Sequence, residues 1–300
     1  MDLGLPEWGG WGKGAVRMQN VQIQIMVCFY GVLLFAVSMV VPLSAGDLKV
    51  GGDKALSAEE ILERVRLTLA KPQEDLPVIT YLRHSVITDL DADGKPQKVT
   101  RKTHRAYSDA RDQLLLEVDG RPATQKEIDK DRAHNLDRQQ KFLHRQADKD
   151  GDHNDDLMVK NMDLFRKKFS VLLDGEERVR ERECYVLRFI PDPKYSLDNR
   201  FVDRLMNAVR PKVWVDKKAF RIAHIETRLV ESVSFLGGLA GVLRNIEINV
   251  NQQEWLPDVW VDDTVSAFFD VRVFFKTYRF RLKSKSSEFK EVVEETTSSE

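Results

Sequence analysis

The sequence predicts an α+β fold, a curved antiparallel sheet forming an incomplete barrel, with helices closing its concave side. Strand-like runs follow one another in near-consecutive order with turns of a few residues, whereas a parallel sheet needs a helical crossover between each pair. In the run RVFFKTYRFRL, Val271, Val273 and Phe275 keep one parity and Tyr278, Phe280 and Leu282 the other, which predicts a β-bulge near Lys276 and Thr277 that bends the sheet. Helix starts are few: Ser57 with Glu60 and Thr124 with Glu127 both have capping-box spacing.

In chain order, LSAEEILERVRLTLAK puts Ile61, Leu62, Val65 and Leu69 on one stripe of a first amphipathic helix. VITYLRHSVITDL and QKVTRKTHRAY, joined by DADG, form a β-hairpin, and DQLLLEVDGRP adds a third strand and a turn. From Thr124 to about Gln146 a highly charged helix carries Ile128, Leu136 and Leu143 along a thin apolar edge. LMVKNMDLFRKKF forms another short helix. FSVLLDGEERVRERECYVLRFIP reads as two strands joined around Asp174 and Gly175, the second alternating Tyr185, Leu187 and Phe189 on one face. A short helix near Leu197 to Val209 leads into a tight hairpin and a long strand through GGLAGVL. IEINVNQ, WLPDVWVDD, VSAFFDV and RVFFKTYRFRL are further strands. There is no internal repeat.

Met18 to Gly46 holds no charged residue, follows Lys13 and Arg17, and ends in PLSAG. That is the order of a secretory signal peptide over residues 1–45, and it is also long enough for an uncleaved membrane anchor. The domain proper then spans 46–283, with a charged helical insertion around 124–168, and 284–300 read as a disordered acidic tail. A balance of 47 basic and 48 acidic residues, net charge -1, leaves no overall field to draw nucleic acid. Behind the signal, Cys184 is the only thiol, so no internal disulfide forms.

Chemistry-bearing motifs are missing. DKDGDHNDD, Asp148 to Asp156, lacks the position-six glycine and the terminal Glu of a calcium hand in either frame and reads as a solvated loop. The six histidines have no zinc spacing, GGLAG lacks the phosphate-loop lysine, and no GxSxG elbow occurs. No catalytic residue, metal site or cofactor is expected, and the protein reads as a non-enzyme. VSFLGGLAGVL is unusual as an uncharged glycine-containing run, suited to a buried central strand or to the wall of an apolar cavity.

KVWVDKKAFRIAHIETRLVESVSFLGGLAGVLRN, EWLPDVWVDD and FFKTYRFRL, with LDADGKPQKV, VDGRPAT and CYVLRFIPDP ahead of them, resemble the outer-membrane lipoprotein-sorting protein family with the LolA/LolB-like fold, in its longer bacterial branch. The resemblance covers most of the mature chain. It implies an exported, periplasmic protein whose incomplete barrel shelters a lipid or the acyl chain of a lipoprotein, with contact to the inner or outer membrane. The residues expected to line the cavity are Tyr185, Leu187, Phe189, Trp214, Phe235, Leu239, Phe275, Tyr278 and Phe280. The other reading is an envelope interaction module tethered by an uncleaved N-terminal segment.

Overall fold

The computed structural model describes residues 56–69, 77–108, 113–147, 167–197, 200–235 and 241–292. Helices α1 (Ala58–Leu69), α2 (Gln125–Ala147) and α3 (Arg200–Ala208) accompany a 12-stranded antiparallel sheet. Its strands are β1 (Ile79–Leu90), β2 (Pro96–Tyr107), β3 (Leu114–Val118), β4 (Arg121–Pro122), β5 (Phe169–Val179), β6 (Arg182–Pro191), β7 (Val209–Asp216), β8 (Ile222–Leu229), β9 (Val233–Phe235), β10 (Gly241–Leu256), β11 (Val259–Val273) and β12 (Lys276–Glu291). The spatial order is β4-β3-β2-β1-β12-β11-β10-β8-β7-β6-β5, with β9 beside β10, so the sheet is open, with β4 and β5 at its edges. Every step but β1–β12 and β10–β8 joins sequence neighbours, as short connections demand.

Helices α1 and α2 start at the Ser57–Glu60 and Thr124–Glu127 pairs, the first with the full reciprocal box and the second with only its glutamate half. Ser57 N donates to Glu60 Oε2 at 2.7 Å while Glu60 N donates to Ser57 Oγ at 3.2 Å, closing the reciprocal box that opens α1. Ala58, Ile61 and Val65 then form its buried stripe. At α2, Glu127 accepts from Thr124 N at 2.9 Å and from Arg121 Nη2 at 2.7 Å. Hydrogen bonds from the Arg121 guanidinium and then from Thr124 pull the Glu127 carboxyl down to about 2. Leu136, expected on the buried edge of α2, is 44% exposed. Asp131 and Asn135 turn toward the sheet instead.

Four boundaries differ from the sequence reading. β5 continues through Asp174 and Gly175, where the register with β6 shifts and Gly175 takes φ 109, and the chain reverses at Arg180 and Glu181. A glycine at positive φ serves a bulge as readily as a turn. WLPDVWVDD is split by a turn, since β10 ends at Leu256 and β11 starts at Val259. The parity slip in RVFFKTYRFRL is not a bulge at Lys276: Phe274 and Phe275 are a two-residue hairpin turn, with Val273 paired to Lys276 and Phe274 at φ 52. Ser284 to Glu291 continue β12 and pair with β1 instead of forming a tail. Those residues look tail-like because polar side chains occupy most of that stretch, and backbone pairing needs no apolar alternation. The acidic loop 148–156, the apolar segment 18–46 and most of LMVKNMDLFRKKF lie outside the described residues.

Candidate functional site

Directly opposed residues of an antiparallel pair share a face of the sheet, so the register assigns the faces. One row on the first face runs Leu187, Val213, Ile225, Val250, Val265, Ser284, Ser85 and Lys102. The next runs Pro211, Thr227, Ile248, Ala267, Leu282, Ile87 and Thr100. A third runs Ile246, Phe269, Phe280 and Asp89, with Phe269 and Phe280 stacked at 4.9 Å between centroids. From β6 to β11 this face is almost wholly apolar. Across β12 the first row turns polar, and Ser85 and Ser284 meet hydroxyl to hydroxyl at 3.2 Å.

Two helices approach this face. Asp131 of α2 accepts from Lys102 Nζ at 2.5 Å and lies 3.1 Å from His104 Nε2. Burial opposes ionisation of Asp131, but hydrogen bonds from His104 and Lys102 outweigh it and hold the carboxyl well below the usual aspartate range. At the other end, α1 places Arg64 over the ring of Phe220 at 4.9 Å, and Phe220 stacks on Tyr185 at 6.3 Å. We call this the helix face and the other the open face.

Of the residues expected to line a cavity, Tyr185, Leu187, Phe189, Tyr278 and Phe280 share the helix face by register and parity. Leu187, Phe189 and Phe280 are buried there, while Tyr185 and Tyr278 are half-buried. Trp214 points the other way. It pairs with Val186 and His224 on the open face, packs with Cys184 and Ala223, and donates from Nε1 to Glu177 at 2.8 Å. Phe275 lies at the β11–β12 turn, fully exposed. Phe235 pairs with Gly241 in β9, and Leu239 lies outside the described residues. The sequence reading passed over Val213, Ile225, Ile248, Val250, Val265, Ala267 and Phe269, although IEINV alternates apolar and polar residues and carried the signal.

A hydroxyl stands in this apolar field. Thr227 is 6% exposed, sits between Pro211 and Ile248, and its Oγ1 has no hydrogen-bond partner. Buried polar atoms are normally paired, so the orphan is a feature to be explained.

Elsewhere buried charges are tied down, except Arg221, which is 6% exposed and whose Nε has no hydrogen-bond partner. Lys168, 1% exposed, donates to the carbonyls of Asp192 at 3.2 Å and Tyr195 at 2.6 Å and to Asp203 Oδ1 at 2.9 Å, joining the start of β5 to the loop before α3. Arg182 binds Asp216 at 3.0 Å and Glu254 at 2.8 Å and lies over Trp260. Burial pushes the Cys184 thiol up to about 11, which leaves it an unreactive core residue. Among the described residues no group of histidine, cysteine or carboxylate side chains is arranged to hold a metal ion, and no helix is long and apolar enough to cross a membrane.

The chain is similar to several solved structures. One, named for outer membrane lipoprotein sorting, is from Vibrio parahaemolyticus (13% identity, 81% of this chain and 94% of that one, TM-score 0.30). A LolA superfamily protein from Nitrosomonas europaea has 11% identity over 80% of this chain and 95% of its own, TM-score 0.26. A DUF1329 family protein from Desulfovibrio piger has 13% identity over 78% and 94%, TM-score 0.26. No family model matches the chain, and no curated protein does. Likeness at these TM-scores carries no argument about function.

Proposed function

We propose that the helix face binds an acyl chain, of a lipid or of a lipoprotein's anchor, and carries it without chemistry. The observation that carries this reading is the apolar run across β6, β7, β8, β10 and β11, which ends at the Ser284 and Ser85 pair. Each methylene moved from water onto such a surface contributes about 0.8 kcal/mol, so ten carbons gain on the order of 8 kcal/mol before losses. That suffices for carriage. The orphan hydroxyl of Thr227 suits the ester or amide carbonyl at the head of the chain, the one polar group such a ligand brings inside. Helices α1 and α2 act as the lid, and Tyr185, Leu187, Phe189, Tyr278 and Phe280 border the bound chain. An exported, periplasmic site after signal cleavage goes with this role.

The protein purified from a bacterial envelope is extracted and its lipids identified by mass spectrometry, and affinity is measured by displacement of a fluorescent fatty-acid ester. Thr227→Val keeps shape and removes the hydroxyl, so it should weaken an acyl ester by about fivefold and leave a plain alkane chain unaffected. If no lipid is extracted and the fluorescent ester does not bind, the reading is wrong.

A further inference from the structure

The open face of β2, β1 and β12 is built differently from the rest of the molecule. On β12, Arg281, Lys283 and Lys285 alternate outward and are all exposed. Register sets Arg101 beyond Val86 in the row of Lys283, and Arg105 opposite Leu82 on the same face. Arg281 stands opposite Phe268 on one side and Thr88 on the other. Among the described residues, none of Arg101, Arg105, Arg281, Lys283 and Lys285 takes part in an ion pair. Three of the acids nearby are already engaged, while Glu288, which lines the same groove as Arg105, forms no ion pair with it. Asp270 accepts both bonds of Arg279 at 3.0 and 2.7 Å, Glu117 accepts from Thr103 Oγ1 at 3.1 Å, and Asp119 accepts from Arg101 N at 2.8 Å.

Further along the same face, on β6 and β7, cations do find partners: Lys212 meets Glu177 at 3.2 Å and Arg188 meets Asp174 at 2.7 Å. In a chain of net charge -1 an unpaired basic field is therefore a local choice. Like charges at alternate positions of β12, and across β1 on β2, repel and weaken the isolated fold, a cost that an anionic partner removes.

A second observation says what kind of partner. The hairpin that carries this basic strand ends in Phe274, 63% exposed, and Phe275, 103% exposed, followed by exposed Lys276, whose Nζ sits 5.4 Å from the ring centroid of Tyr278. A turn needs no aromatic residues, and water offers them nothing. An apolar tip beside a basic face matches a bilayer interface, where aromatic rings enter the acyl boundary and lysine and arginine meet headgroups. A soluble polyanion would use the cations and leave the rings in water.

We propose that the open face of β2, β1 and β12 docks on an anionic phospholipid bilayer, with Phe274 and Phe275 inserted at its edge. This stands independently of the acyl-chain reading, because it uses the opposite face of the sheet.

The test is flotation of the full chain with phosphatidylcholine vesicles, with and without phosphatidylglycerol, at low and high salt. Residues 18–46 are common to every variant and so cancel in the comparison. Docking requires affinity for the phosphatidylglycerol vesicles at least about tenfold above that for phosphatidylcholine alone, falling as salt rises. Arg281→Glu with Lys283→Glu should weaken it by about 30-fold. Phe274→Ser with Phe275→Ser should weaken it several-fold and leave the salt dependence. Arg101→Gln with Arg105→Gln repeats the charge test on another strand, and circular dichroism confirms that each variant is folded. Equal binding to both vesicle types, folded charge variants that bind like the original, or capture by a sulfated polysaccharide without vesicle binding would each overturn the proposal.

Discussion

Two halves of one sheet solve the same pairing problem with opposite materials. From β6 to β11 the helix face is a stack of Val, Ile, Leu and Phe, as in Ile225, Val250 and Val265, and burial holds it together. On β1 and β2 the middle of the same face carries Ser85, Lys102, Thr100 and His104, held by backbone ladders, by a hydroxyl pair and by Asp131 reaching down from α2, while Ile79, Tyr81 and Ala106 form a buried apolar cluster at one end of it. The apolar half can pay for its own order, whereas the polar middle of β1 and β2 depends also on partners brought from elsewhere in the chain. Stability should therefore fail in different ways on the two sides of β12.

The largest effect is expected inside the apolar half. Phe269→Ala removes a ring 1% exposed and stacked on Phe280, and should cost about 4 kcal/mol in denaturant unfolding. A loss under about 1 kcal/mol would mean that the face is loosely filled and the contrast between the halves is overdrawn.

A smaller loss belongs to the polar half and depends on pH. Asp131→Asn weakens the contacts to Lys102 and His104 and should cost about 2 kcal/mol at neutral pH. The folded carboxyl titrates below the unfolded one, so the unfolded chain takes up the proton first. The stabilisation is complete above about pH 4 and is lost as pH falls through the folded value. Unfolding curves of the two proteins should thus converge on acidification, and a gap that persists at low pH would assign Asp131 a packing role.

The smallest effect sharpens the border itself. Ser85→Val with Ser284→Val replaces the hydroxyl pair by an apolar pair and extends the row from Val265, and stability should change by less than about 1 kcal/mol in either direction. A large loss would show that the border hydroxyls have partners of their own to satisfy.

What could be read in advance was local. Ser57 with Glu60, and the alternation of Tyr185, Leu187 and Phe189, need only neighbouring residues, and both took the form their spacing implies. VWVD gave no such guide. Trp214 and both its valine neighbours are at least half-buried, so hydrophobicity alone could not say which parity met the helix face. The turn at Phe274 and Phe275 has none of the Gly, Asn, Asp or Pro residues that usually announce one, and Asp174 with Gly175 announced one that is a bulge. β12 from Ser284 onward was hidden because its partner, β1, lies at the other end of the chain.

That last pairing has a consequence for how the molecule comes into being. His84 and Ser287, 203 positions apart, touch across the β1–β12 ladder. A polypeptide emerging from a ribosome or a translocation pore with its amino end first presents β1 with one edge satisfied by β2 and the other bare until the final strand arrives. The seam is the last to close, and its closure is slow because so long a loop must be gathered. Throughout that interval the bare edge of β1 is the place where a chaperone would gain most by holding the chain and where two unfinished copies would first adhere.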